Sequence, residues 1–197
     1  MKRTIKHIAV KRSGHVFVGN MIRSWCGDAI YKDLENSDPY KEIAFGSPDT
    51  FVIQTRDLLN WWASYTQVKG KVNTRMVTKW WEIAKAYHDC SFGAHMDVVR
   101  VNYEDFFLSR DYREGVCKAL GGEYHEAALN RVALNGGGSS FSRNKFDGKA
   151  QEMRVLERYK QVKPQVFVAL FTTYPALFAF YCKTTKDVDK LQFVKSL

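Results

Sequence analysis

Val10-Lys11-Arg12-Ser13-Gly14-His15-Val16-Phe17 is the stretch on which the fold turns. A short apolar run (Ile5, Ile8, Ala9, Val10) leads into it. After it, Val18, Met21, Ile22 and Trp25 recur at the spacing of one helix face. Strand, small-residue turn and helix in that order aim backbone N–H groups and a helix dipole at a bound anion. Arg12 sets a cationic side chain beside the same turn. Gly-x-x-x-x-Gly-Lys-Ser/Thr is absent, so this is not a Walker A loop. Taken alone, a Lys-Arg-Ser-Gly turn fits an ordinary surface turn as well as an anion site.

The alternation continues along the chain. Hydrophobic patterning predicts strands over 4–10, 51–55 and 97–102, and helices over 14–25, 57–68, 74–90, 111–120 and 124–133. A glycine-rich loop from Asn135 follows, then helices over 148–160 and 164–181. Strands alternating with amphipathic helices predict an α/β, P-loop-like three-layer fold with a central, mostly parallel sheet flanked by helices. In such sheets ligands bind beyond the carboxyl ends of the strands. Residues 26–50 read as a long polar connection broken by Pro39 and Pro48, either a variable loop or a functional one on the acceptor side. No internal repeat or linker is visible, so residues 1–197 read as one domain.

A second segment gives the first its meaning. Phe51-Val52-Ile53-Gln54 runs into Thr55-Arg56-Asp57, and Ser64 stands eight residues after Arg56. With Lys11-Arg12-Ser13-Gly14-His15-Val16 this pair resembles the sulfotransferases that use 3′-phosphoadenosine 5′-phosphosulfate (PAPS), whose first loop reads roughly Pro-Lys/Arg-Ser-Gly-Thr-Thr. Asp97-Val98-Val99-Arg100-Val101-Asn102-Tyr103-Glu104-Asp105 is similar to the family's mid-chain strand and Tyr-Glu-Asp turn. Gly136-Gly137-Gly138-Ser139-Ser140-Phe141 resembles the late loop that covers the cofactor. The likeness spans roughly residues 4–160 and is nearest to compact bacterial and phage-type members. Lys11 in place of Pro, and His15-Val16 in place of Thr-Thr, depart from the pattern.

The resemblance implies transfer of a sulfonate group from PAPS to a hydroxyl or amine, with no metal. Arg12 then clamps the 5′-phosphate and the bridging oxygen, and the N–H groups of Ser13, Gly14, His15, Val16 and Phe17 surround the phosphate. Arg56 and Ser64 hold the 3′-phosphate. Gly138, Ser139, Ser140 and Phe141 close over the cofactor. For the catalytic base Glu35 is the first choice, by its distance from Arg12, with Asp33 the near alternative. His15 replaces a Thr that would face the sulfonate and reads as a donor or a base. Of Trp61 and Trp62, one approaches the adenine or both fill the core. His7, His88, His95 and His125 belong to no pattern.

The whole chain sets looser bounds. Thirty Lys and Arg against 21 Asp and Glu give a net charge of +9. That balance suits an anionic cofactor, and it equally suits a non-enzymatic nucleotide or nucleic-acid binding module with a basic face. Cys26, Cys90, Cys117 and Cys182 are widely spaced, which argues for free thiols rather than a metal site. With no leader ahead of the first strand, the expectation is a cytoplasmic enzyme acting on a small-molecule or glycan acceptor. Residues 164–182 are nearly all apolar but short for a membrane span, and Thr172, Thr173 and Pro175 interrupt them. A buried helix pair is expected there, with a homodimer face or a membrane-surface contact as the alternatives.

Overall fold

The computed structural model describes residues 2–44, 50–69, 73–89, 97–132, 141–142 and 145–197. Its elements are β1 (Thr4–Ala9), α1 (His15–Trp25), β2 (Ile30–Glu35), α2 (Pro39–Ala44), β3 (Thr50–Thr55), α3 (Leu58–Lys69), α4 (Thr74–His88), β4 (Val98–Asn102), α5 (Tyr103–Leu108) and α6 (Arg110–Ala119). Two 3₁₀ turns follow (Ala150–Glu152 and Val155–Gln161), then α7 (Gln165–Thr173), α8 (Pro175–Thr184) and α9 (Val188–Lys195).

All four strands run parallel in the order β2-β1-β3-β4 with helices flanking them, an α/β three-layer arrangement. Burial on both faces explains why β3 is buried at every position and reads as an unbroken apolar run. The chain leaves β1 for β2 on one side and comes back to β3 on the other. Between β1 and β3 the strand order therefore reverses, and the crevice beyond such a reversal is where ligands bind in open α/β sheets. Residues 10–14 and Arg56 both follow strands that end there.

Register fixes which side chains share a face. Ala9 pairs with Glu35 on one side and Gln54 on the other, and His7 pairs with Asp33 and Val52. Tyr31, Asp33, Glu35, His7 and Gln54 thus lie on one face. On α1, His15, Gly19 and Arg23 form a stripe at four-residue spacing. His15 meets Asp33 and Glu35, Gly19 meets Tyr31, and the Arg23 guanidinium lies 4.2 Å over the Tyr31 ring.

The chain divides into two compact units. Met1–Arg56 with Asn73–Met153 contains the sheet, while Asp57–Val72 with Arg154–Leu197 is helical. In the helical unit Trp61 and Trp62 are fully buried, and Trp62 Nε1 donates to the Val166 carbonyl at 3.1 Å. Phe193 packs edge-on against Tyr159 and Phe167. Each such aromatic side chain removed from water contributes roughly 2–3 kcal/mol.

Three segments differ from the sequence expectation. Residues 26–50 are not one loop, since β2 and α2 lie within them. The helix expected over 124–133 is absent from the described residues 124–132: residues 122–126 have no regular structure and 127–130 form turns. Tertiary bonds have taken over its backbone, with the His125 carbonyl accepting from Trp25 Nε1 at 2.8 Å and Val132 N–H donating to Asp147 Oδ1 at 3.0 Å. Over 148–160 the chain forms two 3₁₀ turns, the second kinked at Glu157. Over 164–181 the expected helix pair forms, bent by 108°, with Pro175 opening the second helix, a position where its missing N–H costs nothing. Phe167, Leu170, Phe171, Leu177 and Tyr181 of this pair are buried. Among the described residues no single helix is long and apolar enough to cross a membrane.

Candidate active site at the switch point

The loop after β1 is held in a costly conformation. Arg12 has φ +70 and Gly14 φ +83. A non-glycine residue in the left-handed region costs about 1–2 kcal/mol, so neighbouring bonds must hold it there. Two side chains from the end of β3 do so. Arg56 Nη1 donates to the Arg12 carbonyl at 3.1 Å, and Gln54 Nε2 donates to the Ser13 carbonyl at 2.8 Å. Both donors are buried, Arg56 at 2 % exposure and Gln54 at 0 %. Asn36 adds a third tie, its Oδ1 accepting from Lys11 N–H at 3.0 Å. Gly14 is required twice over, for its φ and because a Cβ there would strike the Tyr103 ring.

These ties decide which amides remain for an anion. Of the N–H groups from Ser13 to Phe17, Ser13 donates to the Val10 carbonyl and Phe17 to the Gly14 carbonyl, each at 3.1 Å. The expectation that all five surround a phosphate therefore narrows to Gly14, His15 and Val16, at the start of α1. No side chain caps this helix end, and its first turn carries no acidic residue. Arg12 is half-buried beside it, and among the described residues its guanidinium forms no ion pair. Phe17 packs instead on Tyr103, Phe106 and Phe107.

His15 and Glu35, each read separately as a candidate for the proton transfer, are in contact. His15 Nε2 lies 3.0 Å from Glu35 Oε2 and 3.7 Å from Asp33 Oδ2. Lys11 Nζ stands 3.7 Å from Glu35 Oε1, which also accepts from Asn36 Nδ2 at 3.0 Å. The hydrogen bond with His15 holds the Glu35 carboxyl below its usual range; burial opposes this, while Lys11 and Asn36 add to it. Asp33 moves the other way, pushed up by burial first and by the negative charge of Glu35 second. Both carboxylates keep about a third of their side-chain surface exposed, at 31 % each, while His15 is nearly enclosed at 9 %. One ionised and one more readily protonated carboxyl beside an imidazole is a set suited to proton transfer.

The remaining expected residues fall in different places. Arg56 lies in the sheet unit, its guanidinium 4.7 Å over the Tyr103 ring and its Nε 3.7 Å from Glu104 Oε1. Ser64 lies in the helical unit, fully buried; its hydroxyl donates to the Asn60 carbonyl at 2.8 Å and accepts from Arg158 Nη1 at 2.8 Å. Gly138, Ser139 and Ser140 lie outside the described residues, and Phe141 is a half-buried turn residue. Trp61 and Trp62 both fill the core of the helical unit. Gln54, Asn36 and Arg158 escaped sequence reasoning. A polar Gln at the end of an otherwise apolar strand was the one available signal.

Comparisons with protein-family models, with curated proteins and with solved structures find no match to this chain.

Proposed function

We propose that this protein is a sulfotransferase that moves a sulfonate group from PAPS to a hydroxyl or amine acceptor. The observation that carries the reading is the loop after β1, bent through two left-handed residues and tied by Arg56 and Gln54, with the His15–Glu35 pair at its rim. The amides of Gly14, His15 and Val16 and the Arg12 guanidinium receive the 5′-phosphosulfate end. Arg56 remains a proposed 3′-phosphate ligand on the strength of its sequence position alone.

In the transfer the acceptor oxygen or nitrogen forms a bond to sulfur as the bond from sulfur to the bridging oxygen breaks. The electron pair of the broken bond leaves on that oxygen with 3′-phosphoadenosine 5′-phosphate. The acceptor proton passes to the His15–Glu35 pair, the carboxylate orienting the imidazole and balancing the charge it gains. Arg12 offsets negative charge growing on the bridging oxygen, as donors do in phosphoryl transfer.

Calorimetric titration with 3′-phosphoadenosine 5′-phosphate, using AMP and ATP as controls, tests this reading. Selective binding near micromolar, about −8 kcal/mol, is the expected result. Equal binding of all three, or tight salt-dependent binding of RNA or DNA in their place, would transfer the basic surface to a non-enzymatic binding module.

A further inference from the structure

His7 takes no part in that chemistry, yet it is fully buried in the middle of β1 between two polar side chains. Its Nδ1 contacts the Tyr31 hydroxyl, and its Nε2 lies 2.8 Å from Gln54 Oε1. Gln54 Nε2 in turn reaches the Ser13 carbonyl at 2.8 Å. Donor and acceptor roles are fixed along this chain. A carbonyl oxygen of Gln54 can only accept, so His7 Nε2 carries the proton and Nδ1 accepts from the Tyr31 hydroxyl. With Oε1 engaged, the Gln54 amide has one orientation left, its N–H facing Ser13. Burial, with the charge of His15 second, pulls the His7 pKa down to about 3, so the imidazole stays neutral at physiological pH. Burial likewise pushes the Tyr31 phenol up, keeping it a donor.

Gly19 is a separate indication that the contact is built in. A Cβ at this position would lie 2.5 Å from the Tyr31 hydroxyl and 3.7 Å from His7 Nδ1. A glycine inside a helix costs about 1 kcal/mol against alanine, and here it clears the space in which Tyr31 meets His7.

We propose that Tyr31, His7 and Gln54 form a positioning relay, in which the His7 tautomer orients the Gln54 amide and so sets the Ser13 carbonyl and the phosphate loop. The role in catalysis rests on the sulfotransferase reading, whereas the effect on the loop does not. His7 is a positioning residue and touches no reacting atom.

The test compares His7→Gln with His7→Met. The Gln amide can place an N–H donor where Nε2 stood, whereas Met fills a similar volume without one. Two readouts are taken: the ¹H–¹⁵N shifts of Ser13, Gly14 and His15 without ligand, and the dissociation constant for 3′-phosphoadenosine 5′-phosphate. His7→Met should stay folded, shift the loop amides and weaken binding about tenfold, the scale of one orphaned buried polar group. His7→Gln should keep the loop shifts and bind within about threefold of the parent, because its hydrogen bond is retained. Loop shifts unchanged in His7→Met, or equal damage in both variants, would overturn the relay. If the parent does not bind the nucleotide, the sulfotransferase reading fails, and the ligand-free loop shifts decide the relay by themselves.

Discussion

Two clusters of buried polar groups, one in each unit, are put to different ends. In the helical unit Asp57 caps α3, its Oδ1 accepting from Asn60 N–H at 3.0 Å. Its Oδ2 accepts from the Tyr181 hydroxyl at 2.8 Å and lies 3.6 Å from the nearly buried Lys190 ammonium, which also pairs with Asp187 at 3.1 Å. Two of these contacts tie the start of α3 to α8 and α9, and the other two close within the first turns of α3 and α9. In the sheet unit the corresponding bonds from Gln54 and Arg56 end on main-chain carbonyls of a loop in an unfavourable conformation, beside carboxylates open to water. Polar burial that closes on itself stabilises architecture. Polar burial directed at a strained loop holds a site in readiness.

If this contrast is right, substitutions in the two clusters separate stability from turnover. Glu35→Gln should lower turnover of an identified acceptor by about 10²–10⁴-fold, the range for general acid–base catalysis, with little change in unfolding midpoint. A variant that loses stability but keeps its rate would place Glu35 among the architectural groups. Asp57→Ala should do the reverse, costing about 1–3 kcal/mol in denaturant unfolding because the Tyr181 hydroxyl and the α3 cap lose this acceptor while Lys190 keeps Asp187. Its rate per folded molecule should hold near the parent value.

Acid sharpens the contrast by a smaller margin. His7 binds its proton far less readily folded than unfolded, since its pKa falls from 6.5 to about 3. Its share of stability is therefore complete above pH 6.5 and is lost as the pH falls toward 3. Glu35, also lowered, loses its share on acidification, whereas the raised Asp33 favours the folded state at low pH and loses that share as pH rises. Between pH 6.5 and 4.5, above the ordinary carboxylate range, His7 dominates these three. Urea unfolding across that window should give a positive slope of stability with pH that is reduced in His7→Met. An unchanged slope would remove His7 from the balance. The smallest effect is at Gly19: alanine normally stabilises a helix interior by about 1 kcal/mol over glycine, and Gly19→Ala should forfeit that gain by displacing Tyr31. A full gain in melting temperature would mean that the space is not needed.

The sheet was legible wherever apolar residues dominate a strand. β1, β3 and β4 announce themselves as apolar runs, and α1 and α4 by helical spacing. β2 was hidden by the same residues that make it useful. Asp33 and Glu35 stand where an ordinary strand would carry apolar residues, because their partner is His15 on α1 rather than the core. Pairing of His15 with Glu35 was anticipated only as two separate candidates for one reaction. What joined them was register, Ala9 opposite Glu35, and register is a property of strand pairing that one strand's sequence does not carry. Gln54 and His7 were illegible for a related reason. Each is a polar residue whose own strand gives no sign of a partner, and only the neighbouring strand shows that the two meet. The missing helix over 124–132 has the opposite cause, since the Trp25 indole N–H and the Asp147 carboxylate bond that backbone directly, and the Glu126 side chain is drawn to Arg113, against the local preference.

In the proposed reaction the loop after β1 receives the phosphosulfate end of the nucleotide. Amide shift mapping during titration with 3′-phosphoadenosine 5′-phosphate reads that contact residue by residue. Saturable changes should be largest at Gly14, His15 and Val16, with AMP producing weaker changes at the same positions. Saturable binding that leaves those three amides unmoved would contradict that contact.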